Sequence, residues 1–343
     1  MSGQITRPRV EGIDLLRGVA VALVMLRHAL PSGFPGAGVV GVVMFFSLSG
    51  YLITGVLVDE LDRDGRVDLR RFYLRRAQRL VPALLALVAG VVLVTLLLDP
   101  LGDRDQLAKT VLVALTWTAD LPFGHASDAT FHLWTLALEE QFYLVWPTVL
   151  VLAFARRRLG TALTLSAALC LLACLATVWW LREDPDLAYS LPTVWAGCFV
   201  VGGAARLHGG RLGERLTVPA WAAPVALAGL AVLSVVPLRG HALTYLAGGP
   251  AIAVLTAAAL LAWRTWTTVT HPALRAVVWL GTVSYAAYLW NYPLTLWLRP
   301  YVDHAGPLAA LLTLVAAALS WRLVEAPVQR WARRPRIAAG AAA

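Results

Sequence analysis

The sequence has few charged residues for its length, since Lys, Arg, Asp and Glu together make up only 14% of the 343 residues. In contrast, 59% of the residues are hydrophobic, and the mean hydropathy is +0.69. A soluble chain with this composition would lack the polar surface needed to cover its core. The composition therefore excludes a water-soluble enzyme and predicts an all-α, polytopic membrane bundle with room for about ten crossings.

Cysteine is also scarce. The three cysteines, Cys170, Cys174 and Cys198, lie inside apolar runs and lack the paired spacing of a metal site. Their number is too small for a disulfide scaffold, so we interpret them as small buried hydrophobic residues. We expect no metal site and no resident cofactor.

The basic residues carry a net charge of +9, which could indicate a nucleic-acid partner. However, they lie in short connectors between apolar runs, as is typical of the cytoplasmic loops of membrane proteins. We therefore expect membrane lipid as a partner and no nucleic acid.

Ten apolar segments could cross a membrane, and we expect a multi-pass protein of the cell membrane. With both termini in the cytoplasm, 23 of the 29 basic residues lie on the inner side. Segment 106–123 would invert this bias if it crossed, so we expect it to be re-entrant or interfacial. The ten predicted spans are 12–30, 38–58, 80–99, 131–155, 159–181, 190–207, 217–237, 243–263, 277–298 and 306–325.

We expect one transmembrane domain over residues 1–336, followed by a short disordered tail over 337–343. The first apolar run is interrupted by Arg27 and His28 and lacks a cleavage site, so we expect a retained span rather than a leader.

The first span carries Asp14, Arg17 and His28. At 100° per residue, the eleven steps from Arg17 to His28 return to nearly the same helix face, about 16 Å further along the axis. Titratable groups inside a span are costly and mark functional sites by default. The alternative is a packed core histidine beside an arginine that anchors the helix at the interface.

The densest basic segment is 69–82, which contains Arg75, Arg76 and Arg79. Arg75 and Arg79 share a helix face, and their guanidinium groups suit phosphates such as those of acyl-CoA. The equally supported alternative is a topology marker that contacts lipid head groups.

Two adjacent acids, Glu139 and Glu140, lie in a predicted span. Helical spacing places Glu139 on a polar face with His132, Thr135 and Tyr143, so we expect it to face the interior. Glu140 lies on a leucine-rich face and is expected to pair with an arginine near the inner boundary. A salt bridge between helices as the sole role of both acids is the alternative.

A later span, 280–297, carries Ser284, Tyr285 and Asn291 among many aromatic residues. The aromatic residues could form an interfacial belt, but Ser284 and Tyr285 would lie deeper. A glycine-rich stretch, 33–41, permits close backbone approach to a neighbouring helix or to a ligand.

In their order and spacing, these segments resemble the acyltransferase-3 family of integral-membrane O-acyltransferases. The features that carry the resemblance are Arg17 with His28 eleven residues later, FFSLSGYLIT, RRFYLRRAQRLVPALL, HLWTLALEEQFYLVWP, LGTVSYAAYLW and WRLVEAPVQRW.

The resemblance implies transfer of an acetyl or longer acyl group from cytoplasmic acyl-CoA, as co-substrate, to a hydroxyl of a carbohydrate, glycolipid or glycosylated metabolite. Arg17 and His28 match the family's signature pair, and the family commonly has a second histidine where this chain has Asn291. The esterase-like extension of many relatives is expected to be absent. The other matching positions are the basic group Arg75, Arg76 and Arg79 and the paired acids Glu139 and Glu140.

As a mechanism, we hypothesise that His28 is the general base, because imidazole titrates near neutral pH. Glu139 would orient its ring, and Arg17 would belong to the same catalytic group. Ser49, Tyr143 or Arg17 could donate to the oxyanion. Direct transfer is preferred to an acyl-histidine intermediate. The predicted substrate-binding residues are Glu140, Tyr143, Ser49, Trp134, Tyr285 and Asn291.

The competing hypothesis is a transporter or flippase of a sugar-linked or lipid-linked substrate, which would use the same buried charges without acyl chemistry. The sequence lacks the paired inverted halves typical of such proteins.

Overall fold

The structure, a computed structural model, describes residues 10–121, 126–212 and 218–332, without the side chains of 210–212. The predicted tail 337–343 and the basic residues Arg7 and Arg9 lie outside these ranges. Regular structure within them is entirely helical, as predicted. The helices are α1 (Glu11–Ala29), α2 (Ala37–Asp64), α3 (Leu69–Leu97), α4 (Leu107–Thr116), α5 (Trp134–Ala155), α6 (Leu159–Trp180), α7 (Pro192–Leu212), α8 (Ala222–Ser234), α9 (Gly249–Trp263), α10 (Pro272–Thr282), α11 (Ser284–Leu298), α12 (Ala305–Ser320) and α13 (Ala326–Ala332).

Short turns of other helical types extend several of these helices. A 3₁₀ turn, Asp128–Leu133, leads into α5, and a π turn, Thr244–Gly248, leads into α9. A second π turn, Trp321–Glu325, joins α12 to α13.

Each of the ten predicted spans corresponds to one helix or to two consecutive helices. Six segments are long and apolar enough to cross a membrane, so the protein is a multi-pass membrane protein. They are α2, α3, α6, α5 with its 3₁₀ turn, α9 with its π turn, and α12 with α13. The remaining candidates carry charges in the helix, as in α1, or are short or interrupted, as in α8 and at Val283 between α10 and α11. A count of ten crossings stays a prediction.

Helix α4 occupies the segment that was expected not to cross. Its ten residues rise only about 15 Å, half of the hydrocarbon thickness. Asp120, just after this helix, accepts a 2.7 Å hydrogen bond from Gln141 of α5. The segment is thus tied to the bundle, and its re-entrant or interfacial placement stays a prediction.

The core is centred on α2, which packs against α1, α5, α7 and α9. Its small and β-branched residues allow these close approaches. The three cysteines are free thiols. Cys174 and Cys198 are buried as expected, whereas Cys170 is only half-buried because other helices cover little of α6. In contrast, α6 presents mostly exposed leucines, which is typical of a face in contact with lipid.

Helices α1 and α10 approach closely at Gly281. A Cβ atom at Gly281 would clash with the backbone carbonyl of Asp14, so only glycine fits this contact. Because Gly281 lies three residues before Ser284, the contact brings the beginning of α11 next to Arg17 of α1.

Candidate functional site

A cavity of about 330 Å³, lined by both charged and apolar side chains, lies among α1, α2, α3, α5 and α11. Apolar side chains from α2 and α3 complete its walls. Eight of the twelve predicted site residues line this cavity, which brings together residues from five separate helices. The polar and charged lining residues are Arg17, Ser49, Glu60, Arg71, Arg75, Arg76, Arg79, Thr135, Glu139, Tyr143, Ser284, Tyr285 and Tyr288.

The mouth of the cavity is basic. Arg71, Arg75 and Arg79 are exposed and recur every four residues along α3, so they form one row on a single helix face. Glu60 of α2 also lines the cavity and is half-buried, whereas the other acidic lining residue, Glu139, lies on α5. The row leaves several guanidinium donors facing the opening.

Arg76 differs from the arginines on either side of it. Its Nη2 atom forms a 2.7 Å ion pair with Oε1 of Glu140, and its guanidinium carbon lies 3.3 Å from the centre of the Tyr143 ring. Both side chains of the ion pair are mostly buried, at 16% and 20% exposure. The expected pairing of Glu140 with an arginine is therefore confirmed. Its partner, Arg76, is one of the three arginines that the resemblance associates with acyl-CoA, and its guanidinium group is already engaged by this ion pair.

Glu139 faces the cavity, as its helical position predicts. Its carboxylate accepts a 3.0 Å hydrogen bond from Ser49 Oγ and a 3.5 Å bond from the Tyr143 hydroxyl. Glu140 is not among the lining residues, which confirms that helical spacing separates the surroundings of the two acids.

Arg17 lines the same cavity from α1. Its Nη2 atom donates a 3.0 Å hydrogen bond to Ser284 Oγ, and Ser284 is fully buried. Tyr285 also lines the cavity and donates a 3.2 Å hydrogen bond to the carbonyl of Leu80. These contacts fix α11 against α1 and α3.

His28 is not in the cavity lining, and the expected contact of Glu139 with its imidazole is wrong. Instead, Nδ1 of His28 lies 2.6 Å from Oδ1 of Asn291, and its ring packs 5.2 Å from that of Tyr292. The reason is the position of His28 along the helix axis. Arg17 lines the same cavity as Glu139, and His28 lies about 16 Å further along α1.

The cavity wall formed by Tyr288 and Thr135 contacts His132, which packs towards the surroundings of His28. The Tyr288 hydroxyl is 2.7 Å from Thr135 Oγ1 and donates a 3.1 Å hydrogen bond to the carbonyl of His132. The His132 ring lies 5.6 Å from the ring of Tyr288 and 5.3 Å from that of Tyr292. Tyr288 and Thr135 therefore form the cavity wall nearest to His28.

Asn291 and Trp134 occupy different surroundings from those expected of substrate ligands. Asn291 is 1% exposed and donates a 3.1 Å hydrogen bond to Thr313 of α12, besides its contact with His28. Trp134 is buried, with its ring 5.1 Å from Tyr189 and 6.4 Å from Trp195. Neither side chain lines the cavity among the described residues.

Sequence reasoning missed Tyr288 and Thr313. Tyr288 follows Tyr285 by three residues on the same helix face and could have been found by that spacing. Thr313 gave no signal, because a lone threonine in an apolar span is common. Within ranges 10–121, 126–212 and 218–332, no group of three or more metal-ligating side chains comes together.

The family model described as an acyltransferase domain, Acyl_transf_3, matches residues 10–324. The chain belongs to the acyltransferase-3 family. The predicted resemblance is therefore confirmed, and the matched region contains the cavity, the basic row at its mouth and the His28 cluster.

Several curated relatives cover almost all of this chain. YrhL of Bacillus subtilis is 29% identical over 355 residues, which are 93% of this chain and 55% of the relative. The peptidoglycan O-acetyltransferase OatA of Listeria monocytogenes is 29% identical over 360 residues, covering 95% and 56%. The O-acetyltransferase OatA of Staphylococcus aureus is 28% identical over 351 residues, covering 94% and 57%. This acyltransferase-3 chain thus spans about half the length of these relatives, and no solved structure matches it significantly.

Proposed function

We propose that this acyltransferase-3 protein is an O-acyltransferase that moves an acyl group from cytoplasmic acyl-CoA to a hydroxyl of a cell-envelope glycan. The observation that carries this proposal is the cavity itself, which runs from a row of arginines at its mouth to a half-buried, hydrogen-bonded Glu139. The relatives named as O-acetyltransferases support an acetyl group as the acyl group, and those named for peptidoglycan support a cell-wall glycan as the acceptor.

The donor occupies the cavity. Arg75 and Arg79, with Arg71, are placed to bind the phosphates of acyl-CoA, because guanidinium groups pair well with phosphate oxygens. Arg76 contributes indirectly, by fixing Glu140 and Tyr143. The mouth lies at the end of α2 and the beginning of α3. The distribution of basic residues supports a cytoplasmic location for this mouth and for both termini.

The acceptor hydroxyl reaches His28 from the opposite end of α1. His28 removes the hydroxyl proton, the oxygen attacks the thioester carbonyl carbon, and the carbon–sulfur bond breaks to release CoA as a thiolate, which takes the proton from His28 and so returns the imidazole to its neutral form. The Tyr288 and Thr135 wall separates the two substrates, so transfer requires this wall to open. Direct transfer of this kind needs no acyl-enzyme.

The test uses purified protein in lipid vesicles with labelled acetyl-CoA inside and soluble peptidoglycan fragments outside. The proposal expects label on the glycan, and His28→Ala should abolish it, whereas His271→Ala, in an exposed loop, should not. Label that stays on CoA while the fragments cross the membrane would favour a transporter. Full transfer by His28→Ala would remove His28 from the reaction.

A further inference from the structure

A chain of hydrogen bonds runs from the backbone of α12 to the imidazole of His28. Thr313 Oγ1 donates to the carbonyl of Ala309 at 2.6 Å, Asn291 Nδ2 donates to Thr313 Oγ1 at 3.1 Å, and Asn291 Oδ1 meets His28 Nδ1 at 2.6 Å. Asn291 is 1% exposed and Thr313 is fully buried, so no water competes for these groups.

The direction of each bond follows from the first one. A threonine hydroxyl has a single proton, and a backbone carbonyl can only accept, so the Thr313 proton points to Ala309. Thr313 Oγ1 can then only accept from Asn291, which places the NH₂ group of the amide against Thr313 and its oxygen against His28. An amide oxygen only accepts, and therefore the proton must lie on Nδ1 of His28.

We propose that Asn291 and Thr313 are positioning residues that hold the neutral imidazole of His28 in the tautomer with Nδ1 protonated and Nε2 free. The proposal rests on the proposed function, because a free Nε2 lone pair is what a general base needs. Nε2 of His28 makes no hydrogen bond to any described residue, and the side chain is only partly buried.

In many catalytic sites a carboxylate orients the histidine, whereas here the orienting group is the neutral amide of Asn291. An aspartate that orients a catalytic histidine carries a charge, which is costly within an apolar bundle unless it is paired. Asn291 gives the same orientation without a charge, but an amide can rotate and present its NH₂ group to the ring. Thr313 prevents this rotation, because only the NH₂ group can satisfy its accepting oxygen.

The backbone around His28 is fixed by the same helix that carries Thr313. A Cβ atom at Gly306 of α12 would lie 2.6 Å from the carbonyl oxygens of both His28 and Ala29. This close approach keeps the end of α1 at a constant distance from α12, so the hydrogen-bond chain keeps its length.

The first test is nitrogen NMR on histidine-labelled protein in lipid, at a pH where His28 is neutral. His28→Gln identifies the signals of this ring by difference. We expect a protonated Nδ1 and an unprotonated Nε2. A protonated Nε2 would overturn the proposal, whatever the activity of the protein.

The second test is kinetic. Thr313→Val removes the hydroxyl and frees the amide to rotate, and we expect kcat to fall about 10- to 100-fold, the range found for partners that orient metal-bound histidines. The KM for acetyl-CoA should stay unchanged, and Thr313→Ser should restore activity. Thr256→Val is the matched control, since Thr256 is buried and donates to the carbonyl of Ile252 in α9. Equal kcat values for Thr313→Val and wild type would overturn the proposal.

The two tests separate the inference from the proposed function. An active His28→Ala enzyme would refute the role of His28 as base, and with it the catalytic meaning of the tautomer. The NMR result would still decide which ring nitrogen of His28 carries the proton, because this measurement does not depend on activity.

Discussion

Substitution of the exposed arginines at the cavity mouth tests whether they bind the acyl donor or serve only as a topology marker. Arg75 and Arg79 lie one helical turn apart and both line the cavity. Because both side chains are exposed, each contact with a phosphate should contribute about 1 kcal/mol, between an exposed ion pair and a buried charge-assisted bond. The double variant Arg75→Ala with Arg79→Ala should thus lose about 2 kcal/mol, which corresponds to an increase of about 30-fold in the dissociation constant of acyl-CoA.

The assay is acetyl-CoA binding to purified protein at low and high salt. Since about 1 M salt shortens the screening length to about 3 Å, the ratio between wild type and variant should shrink to a few-fold. The matched control is Arg66→Ala with Arg70→Ala, which removes two exposed arginines from the same connector that do not line the cavity. An equal loss of acetyl-CoA affinity in both double variants, or no loss in either, would refute phosphate recognition by Arg75 and Arg79. The segment would then be interpreted as a topology marker.

Two further variants test the contacts that hold the site. Glu140→Gln leaves Arg76 without its charged partner, and we expect a loss of about 1–3 kcal/mol of stability, seen as a lower unfolding temperature in detergent with an unchanged KM for acetyl-CoA. An unfolding temperature equal to wild type would show that the ion pair does not stabilise the fold. Gly306→Ala should push α12 away from α1 and lower kcat, whereas Gly160→Ala, which has open space around it, should not. Wild-type kcat in Gly306→Ala would show that this contact does not position His28.

Hydropathy and helical spacing predicted most of the helices and much of the cavity. Glu139 and Glu140 are adjacent in sequence, yet the 100° between them was enough to predict that one faces the cavity and the other an arginine. The reason is that a charge inside an apolar helix must find a polar neighbour, so its direction on the helix determines its partner.

Axial position was not predictable in the same way. Arg17 and His28 share a helix face, but a projection down the helix axis does not show that His28 lies eleven residues further along the helix. The sequence therefore placed His28 with Glu139, whereas the structure places Arg17 there and His28 beyond Tyr288. The contact of His28 with Asn291 joins residues 263 positions apart, and helix packing rather than local spacing brings them together.

The two ends of the site differ in how they tolerate polar groups inside the bundle. At the cavity, Arg17, Arg76 and Glu139 have charged or hydroxyl partners and line a space that can admit water. Around His28, the directing groups Asn291 and Thr313 are neutral, fully hydrogen-bonded and buried. A carboxylate at Asn291 would remove the amide donor that Thr313 accepts from and place a charge at a site that is 1% exposed. A neutral orienting chain at one end and a charged cavity at the other thus follow from one constraint, that each buried polar group must be satisfied by a partner or by water.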